Sequence, residues 1–171
     1  RARDRKGWWA WSRDQPGSVD LSGLVSVVTA ASGFADGFAN RSEADLRSGL
    51  ERLSAGFIDS DRDLAEFLAL ARELSTRHLG LRPFDVQLQA AAAMLRGTSV
   101  ELATGEGKTL VGAIVAAGLV RAGRRVQVLS ANDYLAGRDA GWMAPLLIAT
   151  GATVSRITSR RTPDQHRAAH Q

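Results

Sequence analysis

The stretch VELATGEGKTLVGAIV, residues 100–115, restricts the fold more than any other part of this 171-residue chain. A β-branched run, a turn with two glycines and one lysine, and an apolar run follow one another without a break. Glycine adopts backbone angles that other residues avoid, so the turn TGEGKT, Thr104 to Thr109, can aim successive amide hydrogens into one concavity. The positive end of a following helix adds to the attraction for an anion. Lys108 is one of only two lysines, the other being Lys6, in a chain that otherwise uses arginine for positive charge. A compact ammonium in a glycine loop suits contact with phosphate.

The cradle so defined comprises Thr104, Gly105, Glu106, Gly107, Lys108 and Thr109. Lys108 neutralises β and γ charges of a triphosphate and Thr109 holds Mg2+ through its hydroxyl; these two are the candidates for the chemical step. The complete phosphate-loop pattern has glycine at position 102, where this chain has Leu102. Gln87 lies about 20 residues upstream, and a glutamine amide can accept from the amino group of adenine while donating to its ring nitrogen. Arg82 and Phe84, in RPFDVQ, supply a guanidinium and a ring to stack on or flank the same base. The ligand expected is ATP or ADP and not GTP.

Around the loop the pattern alternates. Three strand-like runs, SVELA, RVQVLSA and TVSRITS, are separated by helical stretches at 110–121 and 134–149, and a further helix opens at Pro83 and closes at Gly97. Such alternation predicts an α/β fold with a parallel sheet and right-handed crossovers. Upstream, SEAD at Ser42 and SDRD at Ser60 each place a serine three residues before an acid, which predicts two helix starts. Leu46, Leu50, Leu53 and Phe57 line one face of the first; Leu64, Phe67, Leu68, Ala71 and Leu74 line the second, with Gly56 and Gly80 as stops. Residues 18–40 are apolar but interrupted by Gly23, Gly33 and Gly37, and no element is assigned there.

The formal charge of +4 is concentrated at the two ends. Residues 1–17 carry Arg1, Arg3, Arg5, Lys6 and Arg13 against Asp4 and Asp14; residues 156–171 carry Arg156, Arg160, Arg161 and Arg167 against Asp164. Basic termini around a mildly acidic middle do not make one groove for nucleic acid. The first 17 residues also hold Trp8, Trp9 and Trp11, a composition that suits either an arm on acidic lipid or tryptophans capping a neighbouring core. The longest apolar run, Leu110 to Val120, falls short of the roughly 20 residues of a membrane span. With no cysteine there is neither a disulfide nor a thiolate metal site, and the lack of an apolar leader fits the cytoplasm.

LRPFDVQLQ from Leu81, TGEGKTL from Thr104 and NDYLAGRDAGWM from Asn132, in this order and spacing, resemble the first nucleotide-binding domain of SecA, the ATPase motor of bacterial protein export. The tail SRRTPDQHRAA leans toward the accessory SecA of actinobacteria. The resemblance implies a RecA-like P-loop NTPase unit over 81–171, preceded by a helical segment over 18–80 and a basic Trp-rich arm over 1–17. It implies that Gln87 and Phe84 contact adenine, that Gly105 to Thr109 hold the phosphates, and that Asp133 and Arg138 belong to a motif beside the nucleotide. It further implies a motor that couples ATP hydrolysis to moving preproteins through a SecY-type channel. Its place would be cytoplasmic, peripheral at the inner face of the membrane on anionic lipid, with homodimer formation left open. GWWAW matches nothing in the usual family start.

Hydrolysis needs one carboxylate for magnesium and another for the attacking water, commonly an Asp-Glu pair ending a later strand. Asp164 follows Pro163 in what reads as a helix start, FID at Phe57 precedes the loop, and no arginine finger can be placed. The expectation is therefore an N-terminal piece of a longer translocase that binds nucleotide weakly and turns over little ATP. Two rivals remain. An RNA or DNA helicase would share Gln87 and the loop, but such motors read close to P-T-R-E-L where this chain has ANDYLAGRD. A non-catalytic module would use the basic, Trp-rich arm as its binding surface.

Overall fold

A computed structural model describes residue 20 and residues 22–157. Six α-helices follow in order: α1 (Ser22–Ala39), α2 (Glu43–Arg52), α3 (Asp61–Leu79), α4 (Asp85–Leu95), α5 (Lys108–Arg121) and α6 (Asp133–Ala149), with a 3-10 turn at Phe57–Asp59 between α2 and α3. The Trp-rich arm of residues 1–17 and the tail with Thr162, Pro163 and Asp164 lie outside the described residues.

Local signals set the helix ends. Ser42 Oγ accepts from the Asp45 amide at 3.2 Å while the Ser42 amide donates to Asp45 Oδ2 at 3.2 Å, a reciprocal box that satisfies two of the free donors at the start of α2. Ser60 Oγ accepts from the Asp63 amide at 3.3 Å at the start of α3. Gly80, at φ 66°, closes α3 in the left-handed conformation, with its amide donating to Thr76 O at 3.2 Å. Gly56 is not the stop for α2. That helix ends at Arg52 with Leu53 extended, and Phe57 reaches the core from the 3-10 turn rather than from a helical face.

Residues 18–40 supply the longest surprise, an 18-residue helix. Leu24, Val27, Val28 and Ala31 are buried, the spacing of one helical face, and Phe38 joins them a further two turns on. Gly33 and Gly37, past the middle of the helix, weaken it by up to about 1 kcal/mol each relative to alanine, and Gly23 in the first turn costs less. Burial of this face against α3 offsets the loss.

α3 is the axis of the molecule. Leu64, Phe67, Leu68, Leu70, Ala71 and Leu74 are essentially inaccessible, and α1, α2, α4, α6 and the 3-10 turn all touch this helix. α5, which carries the glycine loop at its start, packs between α4 and α6. A Cβ at Gly118 of α5 would stand 2.7 Å from Leu95 Cδ2 and 3.1 Å from the Phe67 ring, so glycine is what lets this helix approach so closely. One continuous core therefore joins the upstream helices to those around the loop.

The parallel sheet expected from the alternating pattern does not form among the described residues. Residues 99–103, 124–130 and 152–157 adopt no regular element. In the first run Val100 and Leu102 turn toward the core while Ser99, Glu101 and Ala103 face out, the alternation of a strand, but no ladder joins it to a neighbour. In the second run Val128 and Leu129 are 74% and 94% exposed. The physical reason is that a strand satisfies its backbone only across a neighbouring strand, and a parallel strand is stable only when both faces are covered. The helical layer is what stands; α/β alternation survives as a sequence pattern.

Candidate functional site: the glycine loop and the start of α4

The loop leaves the half-buried Leu102, turns through Thr104 and Gly105, and enters α5 at Lys108. Gly105 has φ 91° and Gly107 φ 77°, in the left-handed region where a side chain would be strained. The Glu106 amide donates to Ala103 O at 3.3 Å, closing the turn. Gly107 is the N-cap of α5 and supplies no side-chain acceptor, so the first-turn amides of this buried helix point outward without a cap. Lys108 is exposed and Thr109 half-buried at that same end. The result is a concentration of backbone donors, a helix dipole and one ammonium, which is suited to an anion.

The start of α4 meets this loop through Gln87, which is 8% exposed. Its side-chain oxygen accepts from the Phe84 amide at 2.9 Å, and Nε2 donates to Glu106 O at 2.8 Å. Any Cβ at Gly107 would collide with that same Nε2. The glutamine read as an adenine contact thus lies against the phosphate-loop backbone, with both ends of its amide engaged. Phe84 is the N-cap of α4 and 72% exposed; Arg82 is exposed just before it. Both the ring and the guanidinium thus stand clear of the core at the start of α4.

The third group stands at the start of α6. Asn132 Oδ1 accepts from the Leu135 amide at 2.9 Å, so the first residue of NDYL serves as a helix cap, and Asp133 opens the helix. Arg138 is engaged by its neighbour Asp139 at 2.6 and 2.8 Å. Gln87 and the loop are brought together; Arg138 is committed within its own helix.

One group that sequence reasoning passed over reaches the first residue of α4. Arg72 of α3 is 5% exposed, donates through Nη1 to Ser32 Oγ of α1 at 3.0 Å, and pairs through Nη2 with Asp85, the first residue of α4. Its position, four residues after Leu68 on the apolar face of α3, is the signal that could have singled it out.

A glycine turn with two left-handed residues runs directly into a buried helix without a side-chain cap, beside a glutamine, and so defines a loop-to-helix anion site. Residues 13–171 match the SecA DEAD-like domain, and the chain belongs to the SecA family. It is 51% identical over 146 residues to Protein translocase subunit SecA 2 of Mycobacterium tuberculosis H37Rv, 85% of this chain and 18% of the relative. Against Protein translocase subunit SecA 2 of Mycobacterium leprae it is 50% identical, over 88% of this chain and 19% of the relative. Against Protein translocase subunit SecA of Mycobacterium avium it is 48% identical, over 85% of this chain and 19% of the relative. The chain thus spans about a fifth of the length of these relatives.

Proposed function

We propose that this chain is the ATP-binding portion of a SecA-type motor that couples ATP hydrolysis to translocation of preproteins through a SecY-type channel. The observation that carries the reading is the loop itself: left-handed Gly105 and Gly107, the uncapped start of α5, and Lys108 and Thr109 at its mouth. Thr104 to Thr109 bind the phosphates; Gln87, Phe84 and Arg82 recognise adenine, with Gln87 exchanging its bonds to Phe84 and Glu106 for bonds to the base. Asp133 and Arg138 belong to the motif beside the nucleotide, Arg138 by exchanging its bonds to Asp139 for bonds to the ligand.

When bound, ATP supplies the phosphoanhydride whose hydrolysis drives transport. Mg2+ would be held by the Thr109 hydroxyl, which stands at the start of α5, and by phosphate oxygens. The chain's own residues bind and orient, and the carboxylates for hydrolysis belong to other parts of the motor, which would also close the RecA-like sheet along 99–103 and 124–130. Among the described residues no helix is long and apolar enough to cross a membrane. The likeness to proteins named translocase subunits is what supports placing the chain in the cytoplasm, at the inner face of the membrane on anionic lipid.

The test is binding of a fluorescent ATP analogue with Mg2+ to the chain, beside Lys108→Ala and Gln87→Ala. Binding lost in the first variant and adenine selectivity lost in the second are expected. Equal binding in all three proteins would refute the assignment.

A further inference from the structure

Arg72 is the one charged side chain buried in the core of the described residues. A guanidinium taken out of water loses hydration that its partners must replace, and here the replacement is incomplete. Nη1 has Ser32, Nη2 has Asp85, and Nε is buried with no partner. Asp85 itself is 66% exposed in its side chain, so the pair is dry on one side and wet on the other. An apolar side chain of similar size would serve the core at least as well, because a desolvated ion pair contributes little net stability. What the pair does supply is direction. A guanidinium fork fixes the carboxylate it holds, and that carboxylate is the first residue of α4.

We infer that Arg72 is a positioning residue for the nucleotide site: by holding Asp85 from α3, it sets the first turn of α4 and so the angle at which Phe84 and Gln87 meet a base. The inference rests on the ATP-binding reading above. The chain of contacts is short. Ser32 on α1 orients Arg72; Arg72 grips Asp85; Asp85 lies one residue from Phe84 and two from Gln87; and Gln87 Nε2 reaches Glu106 O in the loop. The Phe84 amide bonded to Gln87 Oε1 stiffens the same turn from within but does not tie it to α3. Removing Arg72 or Asp85 leaves the phosphate cradle intact and lets the base-reading turn swing.

The experiment measures binding of ATP, GTP and inorganic tripolyphosphate to the whole chain by calorimetry, for the wild type, Asp85→Ala, Arg72→Met and the double variant. Asp85→Ala truncates a mostly exposed side chain but leaves the Arg72 guanidinium without its carboxylate, so melting temperature is measured beside binding. Arg72→Met, which removes the buried charge itself, serves as the control. We expect Asp85→Ala to reduce the preference for ATP over GTP about tenfold, the scale of one or two lost hydrogen bonds, with tripolyphosphate affinity within about twofold of wild type. Arg72→Met gives the same loss, and the double variant is no worse than either single one, as for two residues acting through one contact. An unchanged ATP preference in Asp85→Ala overturns the inference. So does a parallel loss of all three ligands with a lower melting temperature, which marks a merely structural role. Wild-type protein that binds no ATP overturns the functional reading and this inference with it, whereas a selective wild type with equally selective variants overturns this inference alone.

Discussion

The helices from Ser22 to Leu79 and the extended runs that flank the glycine loop have similar apolar content but very different fates. In α3 almost every large apolar side chain is inaccessible; at 128–129 two adjacent ones lie in solvent. The contrast comes from where each kind of backbone finds its hydrogen bonds. A helix closes its own, so that it can form and then choose a neighbour, while a strand has nothing to close until the neighbour has arrived. A parallel strand asks for more still, since both of its faces need cover. The glycine loop sits on the boundary between the two regimes, fixed on the side of α5 and open on the side of the runs.

The largest difference between the two regions is expected in hydrogen exchange. Amides in the middle of α3 are expected to exchange only through global opening, with protection on the order of 5 kcal/mol or more, and those of residues 128–130 at close to free rates. Comparable protection in both places would mean that the second run is ordered by contacts other than a ladder. Next in size is truncation of the core. Phe67, inaccessible and 4.9 Å from the Phe57 ring centroid, should cost about 3–5 kcal/mol as Phe67→Ala in urea unfolding. Leu129→Ala, made on a side chain in solvent, should stay within about 0.5 kcal/mol.

Smaller effects sharpen the boundary. Gly118→Ala puts a methyl group against Leu95 and Phe67 and should cost about 1–3 kcal/mol, read as a lower denaturant midpoint. Ser60→Ala removes the cap of α3, at about 1 kcal/mol. The smallest is a pH effect at Asp45. Hydrogen bonds from the Ser42 hydroxyl and amide hold that carboxyl below its ordinary value of 3.8. A depressed folded pKa contributes stability above the unfolded value and loses it as pH falls through the folded one. The gap between wild type and Asp45→Asn should therefore be present at neutral pH and vanish in acid, and a gap that widened on acidification would contradict the box.

What could be read from the sequence was what is local. Ser42, Ser60 and Gly80 act within one turn of their own positions, and each does what its residue type predicts. α1 was carried by the same kind of signal, Leu24, Val27, Val28 and Ala31, but three glycines masked it, and the compensating contact with α3 is remote in sequence. The strands failed for the opposite reason: period-two alternation at 99–103 is present, yet alternation does not create a partner. At the site, the left-handed glycines and the free start of α5 follow from TGEGKT, whereas the bond from Gln87 to Glu106 spans 19 residues and belongs to the packing of α4 on α5. Arg72 carried a local signal in its place on the apolar face of α3, but its role carried none. An arginine in a helix reads as a solvated charge until Ser32 and Asp85 are seen on either side of it.

The tight crossing at Gly118 also defines how the loop can move. From Gly118 back to Lys108 is ten residues of helix, a rigid arm of about 15 Å. With Leu95 and Phe67 wedged against its far end, α5 has a fulcrum there and cannot slide along its axis. A tilt of about 4° on that arm carries the loop by about 1 Å, the scale on which alignment of reacting groups is won or lost. A buried glycine far from the ligand is thus the hinge pin of the lever that would present it.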